Sequence, residues 1–123
     1  MRASLAGAGD PVRVLRVEPR DGATGVFRDT PIVASLSHPL EPSSVTVEAF
    51  AVFDEEGPVP GRSALSADGR CVVWRAERLL APGAAHHVTV TGLRDVRGRT
   101  MAPHRSGFVP CDLTFRDLYD MAH

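Results

Sequence analysis

The 123-residue sequence contains no lysine, asparagine or glutamine, and all 14 of its basic residues other than histidine are arginine. We attribute this bias to a GC-rich coding sequence and not to chemistry. Basic and acidic side chains nearly cancel, 14 against 15, and leave a formal charge of −1. The chain therefore lacks the field that gathers polyanions, and nucleic acid is not an expected partner.

Long apolar runs are also lacking. No segment approaches the length needed to span a membrane, and the short stretch at residues 3–9 is too weakly apolar for the core of an export signal. We expect no membrane insertion. The chain is then either cytoplasmic or exported as part of a larger assembly, and residues 1–11 are predicted to be a flexible N-terminal segment.

Cysteine is scarce, and the metal-ligand spacings that define zinc sites are missing. Cys71 and Cys111 allow one disulfide, but a pair this sparse favours two free thiols. His86 and His87 are adjacent in a predicted strand, so their side chains point to opposite faces and do not chelate one metal together. The acidic residues 54–56 with Asp68 indicate either a calcium loop or, more simply, a solvated turn. We predict no cofactor and no metal.

Catalytic motifs are missing as well. The serines fall mainly in turns, and none has the neighbouring oriented base that a nucleophile requires. Asp95, in the turn at residues 92–95, is better explained by hydrogen bonds from its carboxylate to nearby backbone amides. We therefore predict that the chain is not an enzyme.

The sequence contains 11 glycines and 10 prolines at short intervals, and the segments between them are short and rich in β-branched residues. This rhythm predicts an all-β fold of about seven antiparallel strands in two sheets, spanning residues 12–110. We expect Ile32, Ala34 and Leu36 to share one face, and Phe50 and Val52 to point inward. The predicted strands cover residues 12–17, 31–37, 45–54, 59–65, 71–75, 86–92 and 107–109, with an edge piece at 25–27.

Two of these predicted strands contain the single tryptophan and the adjacent histidines. Val72 and Trp74 alternate with Cys71 and Val73, so the single tryptophan should be buried. The segment at residues 86–92 reads as a central strand. Pro110 should interrupt strand pairing unless it lies at an edge.

The C-terminal tail, residues 111–123, lies beyond the predicted sandwich. Phe115, Leu118, Tyr119 and Met121 fall on one face if the tail is helical, although an extended arm is equally compatible with the sequence. Apolar residues at a terminus, outside the core, are typical of a docking peptide. We name these four residues as the candidate partner-binding site; the alternative is that the tail packs on its own domain.

The order of turn motifs resembles that of bacterial immunoglobulin-like domains of the S-layer (SbsA-type) family, over residues 12–109. In the first half the resemblance lies in residues 14–23, 29–33 and 39–45, and in the second half in residues 66–69, 80–83, 88–90, 92–95, Gly98 and Phe108. It implies an immunoglobulin-like sandwich of the kind found as repeated modules in surface proteins. His86 stands where the family often has tyrosine, so the hydrogen bond of the tyrosine corner should be altered.

Two functional hypotheses follow. The first is a non-catalytic structural or protein-interaction module, a component or decoration of a larger bacterial assembly such as a surface layer, an adhesin or a multi-protein complex. Its partner would be another protein or a second copy in a homo-oligomer. The alternative is a module of a surface protein that binds a small ligand or a carbohydrate through its loops. Only Trp74 and Tyr119 are available to stack on a sugar.

Overall fold

The computed structural model describes residues 10–121, and within that range nine strands form two packed sheets. Nearly all of the expected flexible segment 1–11 therefore lies outside the described residues. A single 3-10 turn occupies Pro42–Ser44. The strands are β1 (Val14–Glu18), β2 (Ala23–Val26), β3 (Ile32–Leu36), β4 (Phe50–Asp54), β5 (Gly57–Pro58), β6 (Gly61–Leu65), β7 (Cys71–Ala76), β8 (His86–Val90) and β9 (His104–Pro110), followed by helix α1 (Phe115–Met121).

The two sheets have four and five strands. The first has the order β1-β3-β7-β6, and the second has the order β2-β9-β8-β4-β5. All pairs are antiparallel except β2 with β9. This is the order of an immunoglobulin-like sandwich, so the predicted all-β class is confirmed. The count exceeds seven because β2 and β5 are short edge strands of four and two residues.

Alternation along the strands builds the core between the sheets. Ile32, Ala34 and Leu36 of β3 are buried, and Ile32 pairs with Trp74 across the sheet. Phe50 and Val52, each 1% exposed, point inward as predicted. Each fully buried side chain of this size contributes about 1.5–3 kcal/mol relative to exposure. The strand β8 lies at the centre of the five-stranded sheet, which confirms the prediction for residues 86–92.

The strand predicted at residues 45–54 was wrong in its first half. The chain first makes the 3-10 turn at Pro42–Ser44 and then a second turn in which Ala49 N donates to Thr46 O at 3.1 Å. The Thr46 hydroxyl accepts from the same amide at 3.2 Å. These local hydrogen bonds compete with pairing to a neighbouring strand, so β4 begins only at Phe50.

Prolines set two other boundaries differently from the prediction. The strand expected at residues 59–65 begins only at Gly61, and Val59 and Pro60 separate it from β5, which lies in the residues expected to form a turn. The last strand begins at His104 and not near Gly107, and it runs to Pro110. The register with β2 shifts between Val109 and Pro110, so the proline lies at an irregularity at the end of the strand.

The only helix of regular α type within residues 10–121 is α1, with seven residues. None of the helices in this part of the chain is long and apolar enough to cross a membrane.

Candidate functional site

The helix α1 begins at a reciprocal cap. Thr114 Oγ1 accepts a hydrogen bond from Asp117 N at 2.9 Å, and Asp117 Oδ2 accepts one from Thr114 N at 2.9 Å. This Thr-x-x-Asp pattern satisfies two amides that a helix start otherwise leaves without partners. The backbone amide of Thr114, its hydroxyl and the Arg28 charge together lower the pKa of Asp117 below its ordinary value. The tail is therefore a short helix, one of the two forms that the sequence allowed.

The start of α1 is fixed to the sandwich at the loop between β2 and β3. Phe115 N donates to Asp29 Oδ1 at 2.8 Å. The Phe115 ring meets Phe27 edge to face, with the ring centroids 6.1 Å apart. Two backbone hydrogen bonds tie the preceding segment to the same region, from Cys111 N to Val26 O at 2.8 Å and from Arg28 N to Leu113 O at 3.0 Å. The first residue of the helix is thus held in place.

The four predicted docking residues come together on this helix and remain exposed. The exposed fractions are 60% for Phe115, 43% for Leu118, 58% for Tyr119 and 70% for Met121, and no residue of α1 is buried. We call these four side chains the tail surface. The contacts of the tail with its own domain are mainly at the start of the helix, at Phe115. The role of the four residues in docking stays a prediction.

A groove that the sequence did not predict opens between the sheets, on the side where β4 and β5 face β6 and β7. Its volume is about 610 Å³, and apolar side chains dominate its lining. We call it the inter-sheet groove. Its lining includes Val47, Phe50, Pro60, Gly61, Arg62 and Trp74.

Trp74 lies at the floor of this groove and is only 3% exposed, so its predicted burial is confirmed. Gly61 of β6 passes directly over its indole ring, and a Cβ atom at Gly61 would overlap the ring atoms. Glycine is therefore required by the close approach of the edge strand. Because Trp74 is buried, it offers no exposed platform for a sugar, which weakens the carbohydrate-binding alternative.

His86 replaces the expected tyrosine and is completely buried. Its Nδ1 bonds to Ala84 O at 2.8 Å, and its ring stacks on Phe108 with centroids 5.2 Å apart. A carbonyl accepts but does not donate, so Nδ1 is the donor of this bond. Nε2 is buried with no hydrogen-bond partner among the described residues. The histidine thus keeps a bond to the backbone just upstream, as a tyrosine corner does, in altered form.

The acidic residues considered for calcium serve their own turns. Asp54 Oδ1 accepts from Glu56 N at 2.8 Å. Asp68 Oδ1 accepts from the Ser66 hydroxyl at 2.6 Å and from Arg70 N at 3.0 Å, and these bonds lower the pKa of Asp68. Across residues 10–121, no three potential metal ligands of the His, Cys, Asp and Glu types lie together.

Asp95 is a scaffold residue, as predicted. It is 1% exposed and accepts hydrogen bonds from Arg97 N at 2.9 Å and Arg99 N at 2.8 Å, while its second oxygen pairs with the Arg99 guanidinium. Burial raises the pKa of Asp95, but the hydrogen bonds from Arg99 and Arg97 outweigh it, so the net pKa is lowered. Cys71 and Cys111 are free thiols.

The fold is that of an immunoglobulin-like sandwich, and a sequence comparison identifies the family. Residues 8–116 match the family described as bacterial Ig-like domain, so the chain belongs to that family. No curated protein sequence matches the chain at a significant level.

Several solved structures share the fold at low sequence identity. The N-terminal part of the bacterial S-layer protein SbsC has a TM-score of 0.64 at 15% identity, over 83% of this chain and 24% of that one. An L,D-transpeptidase from Mycobacterium smegmatis has 0.60 at 16%, over 83% and 41%. CopC from Methylosinus trichosporium OB3b has 0.65 at 16%, over 81% and 93%. The chain spans about a quarter of the S-layer fragment, and at these identities the likeness concerns the fold alone.

Proposed function

We propose that this bacterial Ig-like domain is a non-catalytic structural or protein-interaction module, a component or decoration of a larger bacterial assembly, and that the tail surface is its docking element. The observation that carries the proposal is the tail surface itself. Four large apolar side chains, 43–70% exposed, project from a helix whose start is capped and anchored.

Exposed apolar side chains on a held helix favour binding for two reasons. Burying a side chain of this size completely gives about 1.5–3 kcal/mol, and these four retain a large part of that gain for a partner. The anchoring at Asp29 and Phe27 has already fixed the start of the helix, so less conformational entropy is lost on binding. Spacing at i, i+3 and i+4, as in Phe115, Leu118 and Tyr119, suits a helix that lies in an apolar groove.

The non-catalytic part of the proposal is supported by the way in which polar groups are used. Asp95, Asp68 and Asp117, the carboxylates with shifted pKa values, are each held by hydrogen bonds within one turn or cap. A catalytic carboxylate more often faces a cleft where a substrate can reach it. The S-layer type of assembly is the finer version of the proposal, and it rests on the order of turn motifs in residues 12–109.

The experiment compares proteins captured by the native chain with those captured by the variant Leu118→Glu. Substitution is preferable to truncation after Pro110, because truncation would remove the contacts of Cys111 and Leu113 with the sandwich. The control is Leu15→Glu, which places the same charge on an exposed leucine of β1. We expect a defined set of proteins from a lysate of the source organism to be retained by the native chain and the control, and lost with Leu118→Glu. Equal retention by all three forms would contradict the proposal.

A further inference from the structure

We propose that the pocket between the β2–β3 loop and the end of β7 binds a small organic anion with at least two carboxylate groups. Three arginines, Arg28, Arg75 and Arg78, line this pocket, whose volume is about 370 Å³. We call it the arginine pocket. The proposal goes beyond the proposed function, because the lining includes no residue of the tail surface.

Arg75 lies beside a like charge. In the antiparallel pair of β6 and β7, Arg62 is directly opposite Arg75. Like charges at opposite positions of a sheet destabilise it. Glu77 offsets only part of this repulsion, since its Oε2 lies 3.9 Å from Arg62 Nε and both side chains are largely exposed. The guanidinium of Arg75 itself has no hydrogen bond or ion pair among residues 10–121. A bound anion would supply the missing counter-charge.

The other two arginines have donors available for the same ligand. Arg28 is half-buried, and its Nε donates to Leu80 O at 2.8 Å, which orients the guanidinium. The Arg28 charge also acts on Asp117, whose carboxylate is held in the helix cap by Thr114. Arg78 is exposed and forms no ion pair in the part of the chain that the structure describes. Both guanidinium groups therefore retain N–H donors for a ligand.

The carboxylates of the lining are already engaged. Asp29 Oδ1 accepts a hydrogen bond from Phe115 N at 2.8 Å, and Glu77 pairs with Arg62. Three guanidinium groups thus outnumber two carboxylates in the lining, and the Thr30 hydroxyl adds a neutral donor. The pocket is locally positive although the chain as a whole has a formal charge of −1. A field of this sign attracts an anion.

The apolar part of the lining favours an organic anion over inorganic phosphate. Leu79, which is 46% exposed, and Ala76 form this part. A carbon skeleton would cover Leu79, and its carboxylates would accept the paired hydrogen bonds that the planar guanidinium group donates. The volume lies at the low end for ligand pockets, so the ligand is small. Because Arg75 and Arg78 are exposed, salt screens the contact, and we expect a dissociation constant of about 1 mM.

Citrate and inorganic phosphate are the probes for this site, each titrated at about pH 7 into the native chain at a constant ionic strength set with sodium chloride. The side-chain Nε–H resonances of the arginines, followed by NMR, report contact at each residue. Citrate should shift the resonances of Arg75 and Arg78 with a dissociation constant of about 1 mM. Phosphate should bind at least about fivefold more weakly, because it leaves Leu79 exposed.

The variant Arg75→Gln has a second readout, the melting temperature. Without citrate the variant should melt about 1–3 °C higher than the native chain, since one of two opposing like charges is removed. At about 10 mM citrate the native Tm should rise by about 4–7 °C, and that of the variant by only about 1–2 °C. Arg105→Gln is the matched control, because Arg105 is an exposed arginine of β9 and lies opposite Thr89. It should behave like the native chain toward citrate.

Three results would overturn the proposal. One is a native chain whose arginine resonances do not move up to roughly 50 mM citrate. Another is a rise in Tm with citrate that is equal in the native chain and in Arg75→Gln, which would mean general stabilisation by the salt. Equal affinity for citrate and phosphate would also contradict it, because the carbon skeleton would then contribute nothing. None of these results bears on the tail surface, which Leu118→Glu tests separately.

Discussion

Replacing Gly61 by alanine tests how closely the edge strand β6 approaches the tryptophan. A Cβ atom at this position would overlap the indole ring of Trp74, and its neighbours would be the ring atoms Cζ2, Cε2 and Nε1. Either β6 must move away from β7 or the ring must turn toward the groove. Because Trp74 is 3% exposed and packed in the core, neither movement is free.

Two opposing contributions decide whether Gly61→Ala stabilises or destabilises the fold. Overpacking of this kind typically costs about 1–3 kcal/mol. Glycine to alanine also reduces the entropy of the unfolded chain, which stabilises by about 0.4–1 kcal/mol where the backbone allows it. The steric cost is larger, so we expect Gly61→Ala to lower the free energy of unfolding by about 1–2 kcal/mol.

The assay is denaturant unfolding followed by the fluorescence of Trp74, the single tryptophan. The native-state emission should also shift, since the ring is displaced. Ser63→Ala is the matched control. Ser63 lies on the same strand as Gly61 and pairs with Trp74 of β7, and it already has a Cβ atom. Unchanged stability together with unchanged emission in Gly61→Ala would refute the close approach.

Three other predictions concern the buried carboxylate and the cap. Asp95→Ala leaves the amides of Arg97 and Arg99 and the Arg99 guanidinium without their acceptor, so we expect a loss of about 3–5 kcal/mol in urea unfolding, and a loss below 1 kcal/mol would contradict this. Because the pKa of Asp95 is lowered in the folded state, its contribution to stability is present above the unfolded-state pKa and is lost as the pH falls through the folded-state pKa. The free energy of unfolding, measured downward from about pH 5, should therefore decrease less steeply in Asp95→Asn than in the native chain. Thr114→Ala removes the cap of α1 and should weaken the helix by about 0.5–2 kcal/mol, seen as faster hydrogen exchange at the Asp117 amide with little change in global unfolding.

Much of the sandwich could be predicted from the sequence because alternation reports burial directly. Ile32, Ala34 and Leu36 alternate with less buried residues, and the structure buries all three. The turns at glycine and proline separated the strands correctly in most places. The prediction failed at residues 45–49, where a strand was expected but hydrogen bonds of Thr46 make a turn.

The candidate site was only partly visible in the sequence. The helical spacing of the tail indicated its apolar face, and the Thr114-x-x-Asp117 pattern could have been recognised as a cap. The anchors Phe27 and Asp29 lie more than 80 residues away from Phe115, and the Gly61–Trp74 approach joins two separate strands. Such contacts depend on tertiary packing, so neither they nor the groove could be read from local patterns.

The tail surface as a docking element is the central claim, and site-specific photo-crosslinking in cells of the source organism tests it most directly. A crosslinking amino acid would replace Leu118 in one strain and Leu15, an exposed leucine on β1, in another. We predict discrete protein adducts from position 118 that are absent from position 15. No adduct at position 118, or the same adducts from both positions, would contradict the claim.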